Sequence, residues 1–391
     1  MPSDQSTWLI SAPQGHDPQS LFEKTVNKLM TQAKLPSRNV GQLIIPTFKT
    51  GTLDSLIGLS EELPKMENFF TATVAKTVDT LRNLLNNDPS KLAQHILIDE
   101  ASVDSYLLNG WKWKAGRYNI QTGLRELVDN LNKEMNAIDN ALKAKLNNYN
   151  LVKGSLTQMQ RKKTGNLSVR ALADVVSKKD FIPESEYMQT VLVAVPKTSV
   201  KEWSAQYERL TQMVVPRSSN LIASDDDFSL FSVVIFRRVH DDFLQKCREN
   251  KFIVRDFVFS EDEIAKQQQE METAGTTEKE LWTELLRLTR TNFSESFQIL
   301  IHLKVIRLFV ESVLRYGLPA DYIGYVVKPE SKNAKKTFNV LQTQFAYLSP
   351  KSKAAQQGGK SNTEDFAGEY QAVMDQEFFD FILYEVPWIT L

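Results

Sequence analysis

Cysteine is all but missing from this chain of 391 residues: Cys247 is the only one, so no disulfide can form within the chain and its core alone must hold it. A lone thiol of this kind fits a reducing compartment such as the cytosol. Neither sign of charge is in excess. With 47 basic and 48 acidic residues the formal net charge is -1, so no global field steers the chain towards nucleic acid or an anionic membrane, and the expected partners are proteins. Long apolar runs are lacking too. The most apolar segment, Phe297 to Leu314, carries His302, Lys304, Arg307 and Glu311, too many charges for about 20 residues crossing a bilayer, and is expected to be a buried helix. The first eleven residues show neither the basic-then-apolar order of a secretory signal nor the arginines of a transit peptide. Histidine is scarce: His16, His95, His240 and His302 fall in different segments without ligand spacing, so no metal site is expected.

What is present begins with a periodic stripe. Apolar residues recur at steps of four and three at Leu124, Val128, Leu131, Met135, Ile138, Leu142, Tyr149, Val152, Leu156 and Met159, and only Lys145 interrupts them. A period near 3.5, kept over about five heptads without proline, predicts a long helix whose narrow seam lies against a partner helix. The segment Glu261 to Arg315 supplies that partner, with Leu281, Leu285 and Leu288 in heptad register and Gly275 as its weak point.

Shorter elements flank these helices. Asp17 before Pro18 reads as an N-cap, followed by a helix burying Leu21, Phe22, Val26, Leu29 and Met30. Gln42 to Phe48 reads as a strand, Asp54 to Asn86 as one or two helices ended by Pro89, and the alternation of Trp111 and Trp113 with lysines as another strand. A glycine cap in the left-handed region is expected at Gly165. Between Leu167 and Ser260 the pattern turns to short mixed elements. Val191 to Val195 and Leu230 to Phe236 read as strands, segments after Ser199 and Val239 as helices, and Phe252 to Phe259 as extended. Tyr322 to Val327 reads as a strand, Ala334 to Leu348 as a helix and Glu377 to Trp388 as a terminal element. Ser349 to Thr363, rich in Lys, Ser, Gln and Gly, reads as a loop.

The element order predicts an α+β dumbbell: two globular lobes joined by a long antiparallel two-helix coiled-coil neck. Residues 1–120 with 317–391 form a foot lobe holding both termini, 121–164 with 261–316 the neck, and 165–260 an inserted head lobe. No catalytic constellation emerges. Ala354 to Ser361 ends like a phosphate loop but lacks the first glycine and an apolar strand before it. His240 and Cys247 stand about 10 Å apart along a helix, too far for direct proton transfer. Candidate interface residues are Trp203 and Tyr207, spaced as neighbours on a helix, and the basic set Arg161, Lys162, Lys163 and Arg170. Packing is the default role of the two aromatics.

Four stretches carry a resemblance across nearly the whole chain. KTGTLDSLIGLSEEL at Lys49 to Leu63, RKKTGNLSVRALADVV at Arg161 to Val176, VLVAVPK at Val191 to Lys197 and FVESVLRYGLP at Phe309 to Pro319 are similar to the C subunit of the eukaryotic vacuolar proton-pumping ATPase, the V-ATPase. The resemblance implies a cytosolic, non-catalytic stator protein without cofactor, peripheral on the cytosolic membrane face when assembled. Its lobes would contact E/G stalk heterodimers, and its foot also the cytosolic N-terminal domain of the membrane-embedded a subunit. It further implies a part in reversible disassembly, and it admits actin, attributed to some members. A cytosolic coiled-coil tether or actin-binding adaptor would share the long helices but not the four stretches.

Overall fold

Local capping chemistry starts the helices where polar residues precede proline or apolar stripes. The computed structural model describes residues 2–15, 17–183, 185–257, 260–348 and 379–389. In chain order its elements are β1 (Ser6–Pro13), α1 (Pro18–Gln32), β2 (Val40–Leu43), α2 (Leu53–Leu84), α3 (Pro89–His95), α4 (Val103–Leu108), α5 (Leu124–Thr164), β3 (Met188–Pro196), α6 (Val200–Gln206), β4 (Asn220–Ser224), β5 (Phe228–Phe236), α7 (His240–Glu249), β6 (Ile253–Arg255), α8 (Glu261–Tyr316), β7 (Tyr322–Val327), α9 (Ala334–Phe345) and β8 (Ile382–Pro387). Helix and sheet are mixed, as the α+β expectation has it. The chain forms two compact units, residues 1–145 with 284–391 and residues 146–283. His16, Phe259, the loop at Ser349 to Thr363 and the phosphate-loop-like run inside it lie outside the described residues.

In the first unit, β1 and β7 form the middle of a four-stranded antiparallel sheet of order β2-β7-β1-β8. Alternation along β1 sends Leu9 to one face and Trp8 and Ile10 to the other. The first face packs with α2, α5 and α8 around Phe70, Leu131 and Phe309; the second packs with α1 and α9 around Leu29, Phe338 and Phe345. A sheet covered on both sides needs strands apolar throughout, which is why all six residues of β7 are buried.

Charge is buried here as well. The Lys304 ammonium, 2% exposed, pairs with Glu67 of α2 and donates to the Glu385 carbonyl of β8 at 2.6 Å. Arg307 meets the same carboxylate at 2.7 Å and stacks 4.2 Å over the Tyr384 ring. Burial pushes the Glu67 carboxyl up, but the two cations beside it outweigh burial and hold it below its ordinary range. Three elements are thereby tied at one point.

Several expected elements differ in ways with clear causes. Trp111 and Trp113 form no strand. Their indoles donate to the Tyr106 hydroxyl at 3.0 Å and the Tyr118 carbonyl at 2.7 Å, and the segment wraps His302 of α8. The strand expected to reach Phe48 stops at Leu43, three residues before Pro46, which has no N–H for a ladder. Pro89 opens α3 instead of closing a segment, because Asp88 caps it by accepting from the Ser90 and Lys91 N–H groups. Met30 is exposed, and Thr25 takes the buried place. Gly165 stays outside the left-handed region, which Gly317 adopts at the end of α8 with φ 81°.

The seam of α5 packs as expected. In the first unit Val128, Leu131, Met135 and Leu142 are fully buried, and the interrupting Lys145 pairs with Glu284 of α8 at 2.6 Å. In the second unit the Tyr149 hydroxyl donates to Glu278 at 2.9 Å, and Val152, Leu156 and Met159 are half-buried. Helix α8 continues through Gly275.

The second unit centres on another antiparallel sheet, of order β4-β5-β3-β6. Val193, Val195, Val233 and Ile235 face α6 and α7, while Leu192, Ala194 and Leu230 face Leu167, Leu172 and Val176. Asp225, the first of three consecutive aspartates, accepts from the N–H groups of Leu167 and Phe228 at 2.6 Å and of Asp227 at 2.9 Å, and so builds a turn.

Candidate partner interface

The basic set lies at the end of α5. Arg161, Lys162 and Lys163 are exposed, and the chain returns on them: the Ala171 N–H donates to the Lys162 carbonyl at 2.6 Å, and Lys163 pairs with Asp174 at 3.2 Å. Arg170 is half-buried beside Gly165. Its carbonyl and that of Leu167 accept from Arg255 at 2.7 and 3.4 Å. The structure therefore gathers all four residues at one junction, beside a cavity of 340 Å³ lined by Met159, Lys162, Lys163, Asp174, Ile264 and Met271.

Trp203 and Tyr207 take the packing role. The Trp203 indole is 0% exposed, donates to the Ser219 hydroxyl at 2.9 Å, stacks on Tyr207 and meets Phe252 edge-on at 5.2 Å. Tyr207 is 7% exposed, and its hydroxyl donates to Glu208 at 2.9 Å. As free interface anchors both are corrected: a side chain filling the space between helix and sheet has no surface left for a partner.

A different set is exposed. Tyr187, Met213 and Phe236 are 71%, 41% and 38% accessible, and their backbones adjoin at one end of the sheet. The Phe236 N–H donates to the Met213 carbonyl at 3.1 Å, and the Arg237 N–H donates to the Tyr187 carbonyl at 2.9 Å. Val214 and Ile235 on the neighbouring positions face the helices, so alternation turns Met213 and Phe236 to the opposite face. Among the described residues that face is packed by the loop around Leu167 to Phe181 and by Phe257, and Met188, Thr190 and Val234 are half-buried. Arg237 and Arg238 are exposed next to Phe236. Tyrosine, phenylalanine, methionine and arginine are the types enriched in protein interfaces. The sequence carried one signal for this patch: Phe236 ends an apolar strand at the position that alternation assigns away from the helices.

The remaining titratable candidates are structural. Cys247 lies in the core under α7 and burial pushes its thiol up to about 12, far from a nucleophile, while His240 contacts Asp241 at 3.3 Å. His302 is 0% exposed among Trp111, Trp113 and Tyr118. Its Nδ1–H donates to the Gln298 carbonyl at 2.7 Å and its Nε2 accepts from the Lys114 N–H at 3.3 Å, partners that require the neutral ring. Burial lowers its pKa to about 4.

Comparison with known proteins agrees with these observations. The family profile of the V-ATPase C subunit matches residues 7–382. The V-type proton ATPase C subunit 1-A of Danio rerio is 38% identical over 97% of this chain and 97% of its own. The C subunit 1 of Xenopus tropicalis is 40% identical and that of Mus musculus 39%, each over 87% of this chain and 88% of its own. A solved structure, the cytoplasmic N-terminal domain of the V-ATPase I subunit, a homologue of the a subunit, covers 87% of this chain and 98% of its own at 10% identity and a TM-score of 0.29, too loose to speak for fold or partner. With a profile match over nearly its whole length and relatives near 40% identity, the chain belongs to the V-ATPase C-subunit family.

Proposed function

We propose that the chain is a non-catalytic stator and regulatory component of the proton pump. It bridges E/G stalk heterodimers and the cytosolic N-terminal domain of the a subunit, and its release accompanies separation of the soluble and membrane sectors. It acts in the cytoplasm and peripherally on the cytosolic membrane face when assembled. The division into foot, neck and head, with the dumbbell outline, belongs to the same proposal.

The observation that carries the reading is the partition of the chain into two compact units, each with its own core, of which the second, residues 146–283, is inserted within the first. Two binding units on one chain give the second contact an effective concentration set by the link between them, so modest contacts add to firm attachment and the loss of either releases the whole. The exposed Met213 and Phe236 on one face of the sheet support a contact on the second unit. Purified chain is expected to bind E/G heterodimer and the isolated cytosolic domain of the a subunit in separate titrations. Binding to filamentous actin with neither of these would instead favour the adaptor reading, and hydrolysis of nucleotide by the chain alone would refute a non-catalytic role.

A further inference from the structure

One row of side chains crosses three strands of the first sheet. Thr7 of β1 pairs with Val386 of β8, and the register that sets Trp8 against Val327 carries Thr7 opposite Lys328, the residue after β7. Residues opposite one another in an antiparallel sheet point to the same side, so Val386, Thr7 and Lys328 share the face of Leu9. The end of α3 and helix α4 stand over this row without closing on it. They leave a cavity of 400 Å³ with Ile96, Leu97, Val103 and Leu107 on its walls and residues 387–389 along one side. Trp388 fixes that terminal segment. Its backbone N–H donates to the Gln5 carbonyl at 2.9 Å, its indole N–H to the Thr7 hydroxyl at 3.2 Å, and the Lys328 ammonium lies 5.1 Å from the centre of its ring. A second cavity, of 170 Å³ against α2 and α8, adjoins the same segment, so the segment can shift without displacing a packed helix.

The walls are apolar, and the polar groups among them have protons to give. The Thr7 hydroxyl accepts from the Trp388 indole, and the Ser102 hydroxyl accepts from the Ser105 N–H at 3.2 Å, so each keeps its own proton for a further acceptor. Lys328 has three N–H donors and directs one to Asp104 at 2.5 Å. That carboxylate is the outer member of the pair, 50% exposed against 27% for the lysine, and a pair so open to water holds weakly. Among the described residues, these two are the titratable groups that line the cavity. An apolar hollow above about 300 Å³ with a few converging donors is the build of a small-ligand site. We propose that this cavity binds a small amphipathic acid, its apolar chain in the hollow and its single carboxylate on Lys328, Thr7 and Ser102. A neutral amphiphile would leave the ammonium without a new partner, and a cationic one would set like charge beside it. The site lies within the first unit and is independent of the stator reading.

The test titrates the full chain by calorimetry with decanoate, decylammonium and decanol, each below its micelle concentration, and maps the contact with a diazirine analogue of decanoate. Decanoate is expected to bind as one molecule per chain, at least about tenfold tighter than either other probe, and the analogue to label residues within 93–107 or 386–389. Lys328→Met is expected to weaken decanoate about tenfold and to leave decanol unchanged. Ala93→Trp, which fills the cavity from its exposed rim, is expected to abolish binding at an unchanged melting temperature. Binding that does not saturate, several decanoates per chain, equal affinity for the three probes or tighter binding of decylammonium would each overturn the inference. So would full affinity in Lys328→Met or in folded Ala93→Trp, or labelling elsewhere in the chain. Should Ala93→Trp fail to fold, the labelling map of the unaltered chain decides.

Discussion

At the scale of single residues the buried charges govern what can be changed. Lys304, 2% exposed, is held by the half-buried Glu67 and the Glu385 carbonyl. Removing Glu67 leaves the buried Lys304 ammonium without its counter-ion, so Glu67→Met is expected to cost about 3–5 kcal/mol in chemical denaturation, and Glu67→Met with Lys304→Met much less than the sum of the two single changes. His302 gives a pH signature. Its folded pKa, about 4, lies below the ordinary 6.5, so the stability of the neutral ring is complete above 6.5 and is lost as pH falls towards 4. The loss is on the order of 3 kcal/mol, and the cations facing the ring, Lys114 and Arg117, act in the same direction. Comparing wild type with His302→Asn between pH 7 and 4 should show that part of the slope disappear in the variant. Such pairings were invisible in the sequence. Lys304 was legible as a charge in an apolar helix, yet nothing in the order of residues names Glu67, 237 positions away, as its partner.

Elements were legible where one local rule decided them. The seam of α5 and the limits of β7 follow from apolar period and from Gly317 with Pro319, and both stand as expected. Where tertiary partners compete with local pattern, pattern alone misleads. The alternation at Trp111 and Trp113 suits a strand, but the indoles find partners in Tyr106 and Tyr118 around His302, and the segment stays irregular. β1 escaped notice because residues 1–11 offered only the absence of a signal, although β1 is a central strand. Trp203 and Phe236 show the same limit at the candidate interface: spacing cannot tell an aromatic under a helix from one at an uncovered sheet end. If the seam carries the helices, Leu142→Ala should cost about 2–5 kcal/mol by calorimetry, while Leu151→Ala, on the open side of α5, should stay within about 0.5 kcal/mol. If the open end of the second sheet is an interface, Phe236→Glu should weaken E/G binding about tenfold or more with unchanged melting temperature.

For the whole molecule the central claim is attachment through two units at once. Family membership follows from the match along the chain, whereas the use made of each unit is a matter of linked binding. The most direct measurement compares the full chain with a version in which a short flexible linker replaces residues 165–260, both titrated with E/G heterodimer by calorimetry. The account predicts that the full chain has one more binding event, and that the shortened chain stays folded with the remaining site intact. Equal stoichiometry and affinity for the two proteins would contradict it.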